Sequence, residues 1–76
     1  MQTVSVSPAA NGWAVRSEAI ENDLLFRHGS KAEEAAKRIA LAMAEAGHTT
    51  ELSILLRDGS TATRLVLPAK GRASSP

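Results

Sequence analysis

Residues 30–47 read SKAEEAAKRIALAMAEAG, and this stretch gives the clearest structural signal in the chain. It is rich in alanine, glutamate and lysine, which form helices readily. Ser30 and Glu33 have the spacing of a capping box, which predicts the first turn of a helix. Gly47 stands where a residue in the left-handed conformation commonly ends a helix. The sequence therefore predicts one helix between Ser30 and Gly47.

The predicted helix carries one stripe of mostly small apolar side chains at helical spacing. The stripe consists of Ala32, Ala35, Ala36, Ile39, Ala42, Met43 and Ala46. Because most of these residues are alanine, we expect the helix to lie close against a sheet. Leu41 falls on the opposite, charged side of the helix, where it is available to contact a partner.

Three strands are predicted before the helix. Residues 3–7 (TVSVS) and 13–17 (WAVRS) alternate apolar and polar side chains, which is typical of half-buried strands. The turn signal at Asn11-Gly12 joins them as a hairpin, with a loop longer than two residues. Residues 23–28 (DLLFRH) have the same alternation and are predicted to form the third strand.

Two more strands are predicted after the helix. Residues 51–56 (ELSILL) and 60–67 (STATRLVL) flank Asp58-Gly59, which favours a two-residue type I′ turn. Pro68 ends the last strand, and the tail over residues 68–76 is polar and is expected to be disordered. The sequence thus predicts a single α+β domain over residues 1–67. Its elements follow the order β-β-β-α-β-β, with an antiparallel sheet of about five strands and one helix packed on one face.

Size and composition restrict the function classes. The chain has 76 residues, a formal net charge of +1 and no cysteine, so disulfides and thiolate metal sites are excluded. A domain this small commonly gains stability from a partner subunit, which predicts a homodimer. No signal peptide is recognisable, and no apolar run approaches the roughly 20 residues of a membrane span. We therefore expect a cytoplasmic protein that does not enter a membrane.

Several short motifs occur in a characteristic order along the chain. They are NGWAV at residues 11–15, SKAEEA at residues 30–35, EL at residues 51–52 and RDG at residues 57–59. Over about residues 3–67 this pattern resembles the bacterial family called domain of unknown function 2188. The resemblance implies the same order of strands and helix, and it implies no activity and no functional residues. The longer connection at residues 47–50 and the apolar end of the last strand depart from the family pattern.

The sequence contains no recognisable catalytic or metal-binding motif. His28 and His48 are the only histidines, and neither belongs to a motif that would place it beside a nucleophile or a carboxylate pair. The glycines are isolated, so no phosphate-binding loop is recognisable. Trp13 and Phe26 share the parity of the expected core residues, which favours a core role over a ligand-binding role. The sequence predicts a non-enzymatic protein without a cofactor or a small-molecule ligand.

One group of residues remains, on the sheet face that the helix does not cover. Side chains alternate between the two faces of a sheet, so residues of the other parity bring arginines and apolar side chains together there. The candidate partner-binding residues on this face are Arg16, Leu25, Arg27, Leu55, Arg57 and Arg64.

Three interpretations of this face are open. The arginines can lie in solvent while their stems cover apolar neighbours. The face can also form a homodimer interface in which Leu25, Leu55 and Val66 pack, with the arginines pairing with Glu18 or Glu51 across it. Thirdly, the arginines can neutralise phosphates and bind nucleic acid weakly. A self-associating structural or interaction module is the main prediction, and weak nucleic-acid binding is the alternative.

Overall fold

Five strands and one helix make up the computed structural model, which describes residues 1–70. The elements are β1 (Gln2–Ala9), β2 (Gly12–Ser17), β3 (Leu24–Phe26), α1 (Gly29–Glu45), β4 (Thr50–Leu55) and β5 (Thr61–Leu67). The strands form one sheet in the order β3-β2-β1-β4-β5, and α1 packs on one of its faces. The predicted α+β class, with one helix on a five-stranded sheet, is confirmed.

The sheet is mixed, so the prediction of a purely antiparallel sheet was wrong. β1 pairs antiparallel with β2 and parallel with β4, where Val4 lies opposite Leu52. The parallel pair follows from the position of the helix, because a chain that crosses a sheet through a helix enters its next strand in the original direction. β3 runs in the same direction as β1. α1 then runs back in the opposite direction, so β4 starts from the same end of the sheet as β1 and is parallel to it.

The core lies between α1 and the three central strands. The sheet contributes side chains of one parity, which are Val4, Val6, Val15, Leu52 and Ile54. The helix contributes Ala32, Ala36, Ala40, Met43 and Ala44. Trp13, Phe26, Ile39 and Leu67 are partly buried and pack against this cluster. Alternation in the sequence therefore predicted the buried face of the central strands correctly.

The buried stripe of the helix differs from the predicted one. Ala40 and Ala44 are buried, whereas Ala42 and Ala46, which were expected in the stripe, are exposed. The buried alanines are four residues apart, and residues at this spacing form a continuous ridge along a helix. Because the ridge consists of small side chains, α1 approaches the sheet closely.

α1 begins without the predicted capping box. Its N-cap is His28, whose side chain makes no capping hydrogen bond, and Ser30 lies inside the first turn. The Ala32 amide donates the first helical hydrogen bond to the His28 carbonyl oxygen at 3.1 Å. Ser30 is therefore already a helical residue and does not occupy the N-cap position. Gly29 packs against the Trp13 indole, which a Cβ at that position would approach to 3.3 Å. This contact with the sheet holds the first turn in place.

The end of α1 agrees with the prediction. Gly47 has a φ of +101°, and its amide donates to the carbonyl oxygen of Ala44 at 3.0 Å. The His48 amide donates to the carbonyl oxygen of Met43, also at 3.0 Å. These two hydrogen bonds form the Schellman motif that a C-terminal glycine commonly supports.

The two hairpin loops have different lengths from those predicted. Between β1 and β2, Ala9 lies opposite Gly12, so this loop has only two residues. Between β4 and β5, the Leu56 amide donates to the Ser60 carbonyl oxygen (2.8 Å) and the Gly59 amide to the Leu56 carbonyl oxygen (2.9 Å). This is the pattern of a three-residue loop with a bulge rather than a two-residue turn. β4 therefore ends before residues 56–60.

Asp58 holds the β4–β5 loop through its side chain. Its Oδ1 accepts hydrogen bonds from the Ser60 hydroxyl (2.6 Å) and the Ser60 amide (2.9 Å), and these bonds lower the pKa of the carboxyl group. A lowered folded-state pKa stabilises the fold above the unfolded value of about 4, and this stabilisation is lost as the pH falls through the lowered value.

We therefore expect Asp58→Ala to destabilise the domain slightly at pH 7 and less at an acidic pH below the lowered folded-state pKa, where the wild-type carboxyl group is also protonated. Urea unfolding of both chains at the two pH values measures this difference. An NMR titration of the Asp58 carboxyl carbon gives an independent check. A midpoint at the ordinary aspartate value would contradict the assigned role of Ser60.

The residues after β5 bond to the end of the helix. The Ala69 amide donates to Thr49 Oγ1 (3.3 Å), and the Lys70 amide donates to the Ala44 carbonyl oxygen (2.9 Å). Lys70 Nζ lies 4.0 Å from a carboxylate oxygen of Glu45. The remainder of the predicted tail, residues 71–76, lies outside the described residues.

Candidate functional site

The sheet face opposite α1, called the open face below, consists of the non-core parity of every strand. Its members include Thr3, Ser5, Ser7, Ala14, Arg16, Leu25, Glu51, Ser53, Leu55, Arg64 and Val66. The pairing register aligns one row across four strands, in the order Arg16, Ser5, Ser53 and Arg64. Neighbouring strands lie about 4.8 Å apart, so about 14 Å of serine-bearing surface separates the two arginines.

Arg16 is held by an acidic neighbour in the same chain. Its Nε and Nη2 donate to Asp23 Oδ1 (3.2 Å) and Oδ2 (3.0 Å), which makes the ion pair bidentate. The hydrogen bond from Arg16 lowers the pKa of the Asp23 carboxyl group, and the same bond raises the pKa of Arg16. Both side chains are exposed, so this ion pair is solvated and only part of the arginine charge is free to attract a ligand.

Arg64 and the two glutamates of this region also have partners within the chain. Arg64 Nε lies 2.8 Å from Glu51 Oε2 on the adjacent strand. Glu18 accepts hydrogen bonds from the amide and the hydroxyl of Thr3, both at 2.9 Å, and the amide bond is the main cause of its lowered pKa. The prediction placed these glutamates opposite arginines of a second copy. In the structure, Glu51 pairs with Arg64 of its own chain.

Arg57 lies apart from the other candidate residues. The predicted two-residue turn would have extended the strand, but β4 ends at Leu55 and Arg57 falls in the loop. Its guanidinium carbon lies 5.4 Å from the centroid of the Trp13 ring, which is the geometry of a cation–π contact. Trp13 packs against the core on the helix-covered side. The structure therefore brings Arg57 to the end of the core and not to the open face.

The apolar candidates of the open face are spread across its width. Leu25 is 72% exposed on β3 and Val66 is 58% exposed on β5, while Leu55 is half-buried at the end of β4. Four strand spacings, roughly 19 Å, separate β3 from β5. Arg27 follows β3 and lines a shallow pocket with Leu25 at the β1–β2 turn. The open face is thus mainly polar, with apolar side chains at its two edges.

A second surface is more continuously apolar. It consists of Leu41, Leu65 and Leu67, and it is called the β5 rim below. Leu41 and Leu65 are 46% and 48% exposed, and together with Leu67, Lys37 and Leu52 they line an open groove between α1 and β5. α1 packs mainly on β1, β4 and β2 and reaches β5 only slightly.

The sequence contains two signals for the β5 rim. Leu41 interrupts the charged side of the helix, and the last strand ends in the apolar run Leu65-Val66-Leu67. Neither signal shows that Leu41 and the end of the last strand lie together. Their proximity depends on β5 being next to β4 at the edge of the sheet.

The histidines and carboxylates do not assemble into a reactive group in the part of the chain that the structure describes. His28 precedes α1 and His48 follows it, so about 25 Å of helix separates them. Within residues 1–70, no group of three histidine, aspartate or glutamate side chains is close enough to hold a metal ion. Over the same residues, no helix is long and apolar enough to cross a membrane.

Comparison with protein-family models, curated proteins and solved structures gave no match to this chain. The resemblance to the domain of unknown function 2188 family therefore stays a prediction from the short motifs.

Proposed function

We propose that this chain is a non-enzymatic interaction module that associates with itself as a homodimer. The observation that carries the proposal is the β5 rim, where Leu41 and Leu65 remain about half exposed along one groove. Contiguous apolar side chains at the surface of a small domain are typical of a protein contact. A cytoplasmic location and the absence of a cofactor belong to the same proposal and rest on the composition of the sequence.

The small size of the core supports self-association. The largest side chains that are fully buried are Leu52, Val4, Val6, Val15 and Thr50, and the helix adds mostly alanine. Small domains bury a low fraction of their surface, so each exposed leucine that a partner covers adds noticeably to stability. Full burial of a leucine contributes about 2 kcal/mol relative to leaving it exposed.

The charges of the open face favour protein contact over nucleic-acid binding. Arg16, Arg27 and Arg64 lie on or beside this face, and Asp23 and Glu51 pair with two of them. Glu18, which accepts hydrogen bonds from Thr3 of this face, adds a third carboxylate. A surface with three charges of each sign provides little of the positive potential that attracts a phosphate backbone.

The solution mass of the full chain tests the proposal. Light scattering is expected to give twice the 8.0 kDa of one chain, at low and at high salt, because an apolar contact is insensitive to screening. A monomer at every soluble concentration would refute self-association. Fluorescence anisotropy with short DNA and RNA separates the alternative, since nucleic-acid binding would weaken steeply with salt.

A further inference from the structure

The structure contains one long sheet edge that no element of residues 1–70 covers. β5 is the outermost strand on one side and has seven residues, whereas the opposite edge strand, β3, has only three. Proteins commonly block long edges with proline, lysine or an inward-pointing charge, because unpaired backbone groups attract other strands. β5 has no proline and no lysine, and its single charged residue, Arg64, already pairs with Glu51 on β4.

The edge carries apolar side chains on both faces of the sheet, although Arg64 shares the open face with Val66. Leu65 and Leu67 lie on the helix side and line the groove with Leu41, while Val66 lies on the open face. An approaching strand would therefore form backbone hydrogen bonds and bury leucine on one side and valine on the other. Strand addition to an exposed edge is a common form of protein recognition.

We propose that the occupant of this edge is β5 of a second copy, paired antiparallel about a two-fold axis at Leu65. The inference rests on the proposed self-association and specifies its geometry. Residues directly opposite each other in an antiparallel pair point to the same face of the sheet. A two-fold axis that is perpendicular to the sheet and passes between the two Leu65 residues therefore keeps both helices on one side of a ten-stranded sheet. Two-fold symmetry is also by far the commonest arrangement of homodimers.

Charge and side-chain type select the register centred on Leu65. This register places Leu65 opposite Leu65, Arg64 opposite Val66 and Thr63 opposite Leu67 of the second copy. A register centred on Arg64 would set two guanidinium groups opposite each other, and like charges at this spacing are destabilising. One centred on Val66 would place Arg64 opposite Pro68, which has no amide hydrogen to donate. The net charge of +1 per chain adds little repulsion.

The chosen register also covers the β5 rim. The two Leu65 side chains meet at the axis, and Leu41 of each copy lies beside them at the edge of its groove. The contact is small compared with the roughly 800 Å² per partner of a typical stable interface. We therefore expect the dimer to dissociate on dilution, and the measurements below are made at one high protein concentration.

Cysteine cross-linking tests the register, because the chain contains no cysteine of its own. Leu65→Cys places two thiols opposite each other, about 5 Å apart between Cβ atoms, and is expected to form a covalent dimer under mild oxidation. Ala62→Cys is the matched control on the same strand. Its two thiols would be six residue positions apart, roughly 20 Å, so it is expected to remain uncross-linked.

A charge at the axis tests the same contact without a covalent bond. Leu65→Asp sets two carboxylates opposite each other and is expected to give a folded monomer, since Leu65 is half exposed and outside the fully buried core. Leu25→Asp, on the opposite edge, is expected to remain dimeric. Far-UV circular dichroism confirms that both variants are folded.

The outcomes separate the geometry from the proposed function. If the wild type is a dimer and Leu65→Asp is still a dimer, pairing through β5 is wrong and self-association stands. The same conclusion follows if Ala62→Cys cross-links as readily as Leu65→Cys. A wild-type monomer at high concentration overturns both. A dimer that Leu65→Asp dissociates and that Leu65→Cys alone cross-links establishes the edge pairing.

Discussion

Replacing Gly12 by alanine is expected to lower the free energy of unfolding by about 3 kcal/mol, at the upper end of the usual range for one substitution. A Cβ at this position would overlap the carbonyl oxygen of Phe26 and approach the Arg27 Cα to 3.0 Å. Both obstacles are backbone atoms, which cannot rotate away as a side chain can. β3 would have to separate from β2, and Phe26 would lose its place against the core.

Thermal and urea unfolding of the variant, at the protein concentration used for the wild type, measures this loss. A domain of this size is expected to lose about 15 °C in Tm for 3 kcal/mol. Gly47→Ala is the control, because Gly47 has a positive φ of +101° but an added Cβ would meet no atom within 4 Å. It should cost only the left-handed backbone penalty of about 1 kcal/mol. Equal losses would contradict the steric argument.

Replacing Ala40 by leucine is expected to cost about 3 kcal/mol, since three added carbon atoms must fit where α1 meets the sheet. Ala40 is fully buried and belongs to the ridge of alanines on which the helix rests. A larger side chain would lift the helix from the core or force neighbouring side chains out of their preferred rotamers. The expected result is a lower urea midpoint together with weaker protection of the helix amides in hydrogen exchange.

Ala42→Leu is the matched control for this prediction. Ala42 is exposed, although the sequence pattern placed it in the buried stripe and left Ala40 out. The substitution adds the same atoms to the same helix, so we expect a change within about 0.5 kcal/mol. A larger loss from Ala42→Leu than from Ala40→Leu would show that the helix rests on the sheet through the stripe predicted from sequence.

The sequence predicted the elements well because their signals are local. Alternation in β1, β2 and β4 identified Val4, Val15 and Leu52 as core residues, since side-chain direction in a strand depends only on position along it. Gly47 identified the helix end because few other residues adopt a positive φ. The prediction of the capping box was wrong because α1 begins at Gly29, before Ser30. Gly29 contacts the Trp13 indole there, and this tertiary contact is not visible in the local sequence.

The candidate site was predictable only in part. The parity of Arg16 and Arg64 in their strands placed both on the open face, and the structure aligns them in one row. Arg57 was misplaced because a loop one residue longer than the predicted turn ends β4 at Leu55. The ion pairs of Arg16 and Arg64 join side chains on different elements, and no spacing in the sequence indicates them.

Local sequence patterns were enough to predict which residues form the helix and strands and which sides of the central strands are buried. Those properties follow from short-range sterics and from the period of each element. Contacts in the folded chain set the central position of β1, the parallel pairing of β1 with β4, and the position of β5 as an edge strand beside Leu41. Strand order depends on contacts between residues far apart in the chain, and alternation within a strand is the same whichever neighbour it pairs with.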